Sequence, residues 1–497
     1  MSAGTPTVGL FLDNEFRRPS DHDQIPVLDP ADGSEVGRVI RATSDDAKAA
    51  MESAGAAQPG WEALGGAARA RILRRTAEIL RSEAEELARL VTREMGKVLF
   101  ESRGETAGAI ENLEYYADYG RTLSGEDVAL LPRGQSLRLQ WVPRGVVVGI
   151  TPWNFPAATV TRKIAPALIG GNTMVVKPAS TTPLTTLRIA DAFRRAGLPK
   201  GVLNVVTGSG AQLGAALVQH PLCSTVTMTG STKTGTEMMR LAAPGIVKCL
   251  LELGGKAPLI VCADADLDWA VRAAVWARFW NAGQACIANE RTYVDRSIAP
   301  RFLERLTALT RQLTVGRGLD PGVDVGPLYA PQAAADIAAR VDEGVRDGGQ
   351  LLLGGTRPKD GPLARGAFYP PTIVTGVEDS NPLVREEIFG PVLPVLPFSD
   401  VEEVLARSNR SPYGLSSYVF TRDLATAERM QRELRFGETY VNRVGPESPQ
   451  GFHTGFRTSG LGGEGSRHGV TDYLQLKSNY VDWKEPHSAD YFLPYPR

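Results

Sequence analysis

GVVVGITPWNFPAATVTRKIAPALIGGNTMVVKPAS, residues Gly145–Ser180, is the stretch that decides the fold. It opens on a β-branched run, Val146–Ile150, and closes on a second, Thr173–Val176. Beyond it come Val202–Val206 and Thr225–Met228, with helical stretches at Leu184–Ala196 and Ala211–His220. Short apolar strands alternating with helices argue for a parallel sheet with crossover helices, a nucleotide-binding α/β architecture. A second α/β block begins near Ala257 and runs to about Phe436.

Upstream, Gly9–Val39 reads as short strands and turns broken at Pro26 and Asp29-Pro30. Ser44 is the expected N-cap of a first helix, and Pro59-Gly60 its expected stop. Across Ala67–Met95, Ile72, Leu73, Ile79, Leu80, Leu87, Leu90 and Val91 recur at helical spacing on one face. Two alternating runs stand apart from the α/β blocks, Ser136–Val142 and Tyr473–Trp483. They are expected to pair away from the main sheets, either at an oligomer interface or as edge strands of one subunit.

The chain has 497 residues, 42% hydrophobic and 22% charged, enough for two or three domains. A formal net charge of -1 gives no reason to expect nucleic acid or an acidic membrane surface as partner. Met1–Leu10 lacks the basic and apolar regions of a secretory signal, and no apolar run is long enough to span a bilayer. The four cysteines, Cys223, Cys249, Cys262 and Cys286, have neither metal spacing nor a dense disulfide pattern. A cytoplasmic protein with one reactive thiol and no metal is the expectation.

Cys286 lies in NAGQACIANER, where small neighbours leave a substrate room to reach the sulfur. A thiolate is the strongest side-chain nucleophile near neutral pH, although a single cysteine is as readily a small buried hydrophobe. Glu252, in LLELGGKAP, ends an apolar strand ahead of two glycines. Burial there raises a carboxyl pKa and suits a general base; a strand-end glutamate facing water is the plainer alternative. Asn154, in ITPWNFP, either donates to a developing oxyanion or simply forms a turn between prolines. Lys177 ends the next strand, at the edge where open parallel sheets bind ligands. Gly208-Ser209-Gly210 with Gly214 is a mis-spaced dinucleotide fingerprint. Thr229-Gly230-Ser231-Thr232, with Gly235 following, opens a helix directly after a strand and is the better anion site.

Taken in order, seven motifs resemble the aldehyde dehydrogenase superfamily: PWNFP (152–156), VVKPAS (175–180), MTGSTKTG (228–235), LELGGK (251–256), NAGQACIANER (281–291), EEIFGPV (386–392) and SGLGGEG (459–465). The resemblance implies an α/β fold with a Rossmann-type cofactor domain (1–130 and 147–256), an α/β catalytic domain (257–436) and a small β oligomerisation element with a tail (131–146 and 470–497). It implies Cys286 as nucleophile, Glu252 as base and Asn154 as oxyanion donor. For the cofactor it implies Lys177 at a ribose, Gly230, Ser231 and Gly235 at the pyrophosphate, Glu387 at the nicotinamide ribose, Phe389 beside that ring, and Trp153 lining the channel. The implied chemistry is oxidation of an aldehyde to a carboxylate through a Cys286 thioester, in a cytoplasmic dimer or tetramer.

Ser180 bears on the cofactor. NAD-preferring members often carry Glu there, which repels a 2′-phosphate; Ser180 near Lys177 resembles NADP-using members, so NADP or dual use is expected. Around the aldehyde the resemblance places Arg162, Trp280, Ile287 and His453. Arg162 either grips a polar group of the substrate or pairs with a protein carboxylate. TRKIAPALIGGNTMVVKPAS resembles succinate-semialdehyde dehydrogenases, but the second arginine those enzymes carry six residues before the nucleophile is Trp280 here. The segment GETYVNRVGPESPQGFHTGFRTSGLGG, with Glu447 and His453, resembles bacterial lactaldehyde and glycolaldehyde dehydrogenases. A short hydroxyaldehyde is therefore the expected substrate. Succinate semialdehyde or sulfolactaldehyde comes next, then an aromatic aldehyde stacked on Trp280. A non-catalytic scaffold of the same fold would have no need of Cys286, Glu252 and Asn154 together.

Overall fold

The computed structural model describes residues 7–483 apart from 124, 129, 130 and 132. The expected tail beyond Trp483 and the extreme amino terminus lie outside the described residues. Two large sheets dominate. The first has eight strands, in the order Gly460–Leu461, Lys248–Glu252, Cys223–Thr229, Val146–Ile150, Thr173–Lys177, Leu203–Val205, Leu10–Leu12 and Glu15–Arg17. Its five central strands are parallel, and the outer ones run antiparallel. Val, Met and Thr side chains bury both faces of this sheet, as a covered parallel sheet requires. Crossover helices such as Ala158–Ile169 and Pro183–Arg195 do the covering.

The second sheet orders seven strands as Gln350–Leu353, Thr372–Thr375, Val392–Phe398, Asn289–Asp295, Ala257–Val261, Ser416–Phe420 and Glu438–Val441, all parallel save the first. The α/β block thus ends at Val441 and not near Phe436, because Glu438–Val441 pairs with Ser416–Phe420. The first sheet likewise borrows Gly460–Leu461 from far along the chain.

These two sheets fix where a site can form. Register pairs Ile150 with Lys177 and Thr229 with Glu252, so these residues share the carboxyl edge of the first sheet. Only Leu253–Lys256 separates Glu252 from Ala257, where the second sheet's parallel strands begin. Asn289, three residues after Cys286, and Glu438 start neighbouring strands at that amino edge. The carboxyl edge of one sheet therefore faces the amino edge of the other.

Two local expectations need correction. The first helix is capped by Thr43, whose hydroxyl accepts from the Asp46 N–H, and it runs Ser44–Ala63 straight through Pro59. Trp61 explains the override: it is buried and its indole N–H donates to the Leu168 carbonyl at 3.0 Å, docking the last turn. Ala67–Met95 is two helices, Gly66–Ser82 and Ala84–Met95, broken at Glu83. The Glu83 carboxylate is held by Arg195 at 2.6 and 2.9 Å, a tertiary contact the spacing could not reveal. The two stray runs do pair with each other: Leu474–Asp482 lies antiparallel to Gln135–Pro143, with Glu126–Val128 beyond, apart from both large sheets.

Candidate active site

Between the two sheet edges lies a cavity of ≈ 990 Å³ lined by Asn154, Arg162, Glu252, Trp280, Cys286, Ile287 and His453. Every residue expected to do chemistry or meet the aldehyde thus faces one space. Cys286 sits half-buried in a turn just before the strand Asn289–Asp295. A Cβ on Gly255 would lie 2.3 Å from the Cys286 carbonyl oxygen, so the glycine of LELGGK is what lets this turn come close. Asn281 and Ala282 hold left-handed φ of 53° and 52° ahead of it. The Asn281 amide donates to the carbonyls of Gln284 at 3.0 Å and Asn154 at 3.2 Å. The Asn154 amide also donates to the Gln284 carbonyl, at 3.0 Å. Its second N–H remains free for the cavity, and among the described residues the Cys286 backbone N–H has no acceptor. Two donors therefore converge beside the sulfur.

Glu252 is buried, and neither carboxyl oxygen accepts a hydrogen bond among the described residues. Burial pushes its carboxyl up to about 8, against the opposing pull of His453. His453 lies with Nε2 3.6 Å from Glu252 and Nδ1 3.1 Å from Glu438. Burial alone would lower its pKa, but Glu438, Glu447 and Glu252 outweigh burial and hold it well above the ordinary imidazole range. The expectation of a mostly neutral ring is therefore wrong: the ring is cationic because carboxylates surround it. Cys286 shares a hydrogen bond with His453; burial still leaves the thiol above its ordinary value.

Arg162 projects from the helix Ala158–Ile169 and is not waiting for a substrate anion. Its guanidinium pairs with Glu447 at 2.5 Å and lies 3.8 Å from Glu464. That contact holds the Glu447 carboxyl down to about 2 despite burial. Lys163, wholly buried, pairs with Glu464. Glu438, Glu447 and His453 bring ligand atoms within 4.8 Å of one another, but Arg162 and the cationic ring already engage them. Of this ion cluster, Glu438, Glu464 and Lys163 escaped the sequence reading. Glu464 lies inside the quoted SGLGGEG motif and was the one available signal.

Trp280 stacks on Trp276 at 5.0 Å and packs against Phe155 at 4.9 Å. It walls the cavity, while Ile287 belongs to a small apolar cluster beneath Cys286 with Ala285, Ala288 and Leu415.

None of the residues expected at the cofactor lines that cavity; they follow the carboxyl edge of the first sheet. Lys177 is buried, forms no ion pair among the described residues, and donates only to the Pro178 carbonyl at 3.0 Å. Burial pushes it down to about 8. A buried ammonium with no anion beside it suits a polyhydroxyl or phosphate ligand. Ser180 donates to the Gly208 carbonyl at 2.8 Å. Ser231 caps the helix Thr232–Ala242, accepting from the Thr234 N–H, and Gly230 donates to the Glu252 carbonyl at 3.0 Å. A Cβ on Gly235 would meet Leu253 at 2.6 Å, so its absence lets the helix lie against the strand end. Trp153 meets the Phe389 ring edge-on at 5.6 Å. Glu387 accepts from the Gly255 N–H at 2.7 Å, and burial raises it to about 7. Glu290 fastens this side, accepting from the N–H groups of Ile388 and Phe389 at 2.9 and 3.1 Å while pairing with Lys256 and Arg278. These residues fit a nicotinamide dinucleotide, with an anion-binding helix start and an aromatic slot.

Comparison with known proteins agrees with this geometry. The profile of the Aldehyde dehydrogenase family matches residues 16–479. The chain belongs to the aldehyde dehydrogenase family. It is an NAD(P)-dependent aldehyde dehydrogenase, as the seven motifs led one to expect. This aldehyde dehydrogenase is 42% identical to D-glyceraldehyde dehydrogenase (NADP(+)) of Thermoplasma acidophilum, over 95% of this chain and 96% of that one. It is 44% identical to the 3,6-anhydro-alpha-L-galactose dehydrogenase of Streptomyces coelicolor, over 95% and 96%. Among solved structures, lactaldehyde dehydrogenase from Escherichia coli superposes with a TM-score of 0.93 at 37% identity, covering 96% of this chain and 99% of that one. No helix among the described residues is long and apolar enough to cross a membrane.

Proposed function

We propose that this aldehyde dehydrogenase oxidises a short, neutral hydroxyaldehyde of the lactaldehyde, glycolaldehyde or glyceraldehyde type, using NADP or either cofactor. The observation that carries the reading is charge balance around Cys286. Arg162 is paired with Glu447, Lys163 with Glu464 and His453 with Glu438, so each cation already has its carboxylate. A substrate carboxylate or sulfonate would have to displace Glu447 or face it. A hydroxyl, which both donates and accepts, fits among such pairs without upsetting them. Trp280, standing where a second arginine would serve a dicarboxylate, acts the same way. The names of two relatives, glyceraldehyde and anhydrogalactose dehydrogenases, also point to hydroxylated aldehydes.

In this reading the Cys286 thiolate adds to the aldehyde carbon, and Asn154 with the Cys286 N–H receives the oxyanion. Bound NAD(P) accepts the hydride that leaves the substrate carbon. Glu252, with both oxygens free, then takes a proton from the water that cleaves the thioester. Lys177, the Ser231-capped helix, Glu387 and the Trp153–Phe389 slot hold the cofactor. The first sheet serves the cofactor, the second carries the nucleophile, and the Leu474–Asp482 pair joins subunits of a cytoplasmic homo-oligomer.

The test is a panel of glycolaldehyde, lactaldehyde, glyceraldehyde, propanal, succinate semialdehyde and sulfolactaldehyde, read by reduced-nicotinamide absorbance with each cofactor. The hydroxyaldehydes should give the highest kcat/KM. A clear lead for succinate semialdehyde or sulfolactaldehyde would sink the assignment.

A further inference from the structure

We infer that His453, fixed by Glu438, is the buried cation that stabilises the Cys286 thiolate, a positioning role distinct from any contact with substrate hydroxyls. The inference rests on the reading of Cys286 as nucleophile.

The geometry is that of a held imidazolium. His453 is 3% exposed, and its backbone is locked to Glu464 by paired hydrogen bonds of 2.8 and 2.7 Å. Glu438 has one carboxyl oxygen engaged by the hydroxyls of Ser416 at 2.9 Å and Tyr440 at 3.1 Å. Its other oxygen is thereby aimed at Nδ1 of His453, 3.1 Å away. The opposite face of the ring looks toward Glu252, at 3.6 Å, and toward Cys286, with which it shares a hydrogen bond. The charged groups around the ring come from every neighbouring element. Glu252 ends a strand of the first sheet, Glu438 begins one of the second, Glu447 follows it, and Arg162, Lys163 and Glu464 close the ring from behind.

Such surroundings divide the work between two residues. Burial works against ionisation of Cys286, as do Glu447 and Glu252; His453 is the group that opposes them. Being already protonated, His453 cannot take the thiol proton. When sulfur bonds to the aldehyde carbon, the S–H proton passes to the ionised form of Glu252 or through water to solvent. The imidazolium keeps its own proton and faces the sulfur as a fixed charge.

The pH dependence of Cys286 alkylation by iodoacetamide, followed by peptide mass spectrometry in the enzyme without cofactor, tests this. His453→Gln should move the midpoint up by about 1–2 pH units, slowing alkylation near neutrality roughly 10- to 100-fold. Glu438→Gln should move it the same way by less, and serves if His453→Gln does not fold. His453→Gln should also lower kcat/KM on propanal, which has no hydroxyl to bind, as much as on lactaldehyde. Unmoved midpoints in both variants, or a loss confined to hydroxylated aldehydes, would overturn the inference. Cys286→Ser separates the two readings: retained turnover in that variant breaks the thioester mechanism itself, whatever the His453 variants do.

Discussion

Glu252 is a carboxyl placed where water cannot stabilise its charge, and its ionisation near pH 8 sets when it can act. Because only the carboxylate is a base, thioester hydrolysis should speed up as pH rises through about 8. In Glu252→Gln that limb should flatten in a kcat–pH profile while the first hydride transfer, seen as a burst, persists; a profile that keeps its limb would place the base elsewhere. Ser180 decides the cofactor at the same scale. Its hydroxyl lies at the loop of Gly208, and Ser180→Glu would set a carboxylate where a 2′-phosphate would come. One like-charge pair at such a site is worth ~1–4 kcal/mol, so the NAD/NADP ratio of kcat/KM should move toward NAD by roughly tenfold or more. An unchanged ratio would rule out this role for Ser180. At this scale the sequence was most informative where one motif carries one residue. Cys286, Glu252 and Asn154 each sit inside such a motif, and all three face one cavity. The ion cluster was not legible, because Arg162, Glu438, Glu447, His453 and Glu464 come from separate segments. Which carboxylate meets which cation is a matter of tertiary packing, so Arg162 read as a free substrate anchor when it is in fact already paired.

Among the elements, the strand Asn289–Asp295 does more than fill the second sheet. Its Glu290 neutralises two buried cations and pins the Ile388–Phe389 turn that presents Phe389 at a φ of 55°. Removing one member of a buried network leaves charge uncompensated, so Glu290→Gln should destabilise the fold by about 3–5 kcal/mol in chemical denaturation. Arg278 and Lys256 hold the Glu290 carboxyl down from 4.5 to about 2, outweighing burial. A depressed folded-state value means that the stabilisation is complete above the unfolded carboxylate range and fades as pH falls toward 2. The variant and parent should therefore converge in acid; a gap that stayed constant with pH would point to packing instead. Element positions were legible where periodicity is strong, as for the strands at Val146 and Thr173. They were misjudged where a distant partner decides, as for Pro59 under the Trp61 anchor and for the break at Glu83.

At the scale of the molecule, the antiparallel pair of Leu474–Asp482 and Gln135–Pro143 stands off both large sheets and leaves Leu476, Tyr480, Val481 and Trp483 exposed. Exposed apolar side chains on a projecting ribbon suit a second copy of the chain. Leu476→Asp with Tyr480→Asp should leave the protomer folded, since neither side chain is buried, yet shift sedimentation to smaller species. Sedimentation identical to the parent would remove the ribbon from the interface. The paired ions around Cys286 have a reach beyond substrate choice. Each cation is matched at contact distance, so the mouth of the cavity projects little field into solvent, and a formal net charge of -1 adds little more. A neutral aldehyde then arrives by diffusion without long-range guidance. Raising ionic strength shortens the Debye length from about 10 Å at 0.1 M to about 3 Å at 1 M. It should barely alter kcat/KM for lactaldehyde measured at saturating cofactor, whereas an enzyme that draws in an anionic aldehyde would slow steeply over the same range.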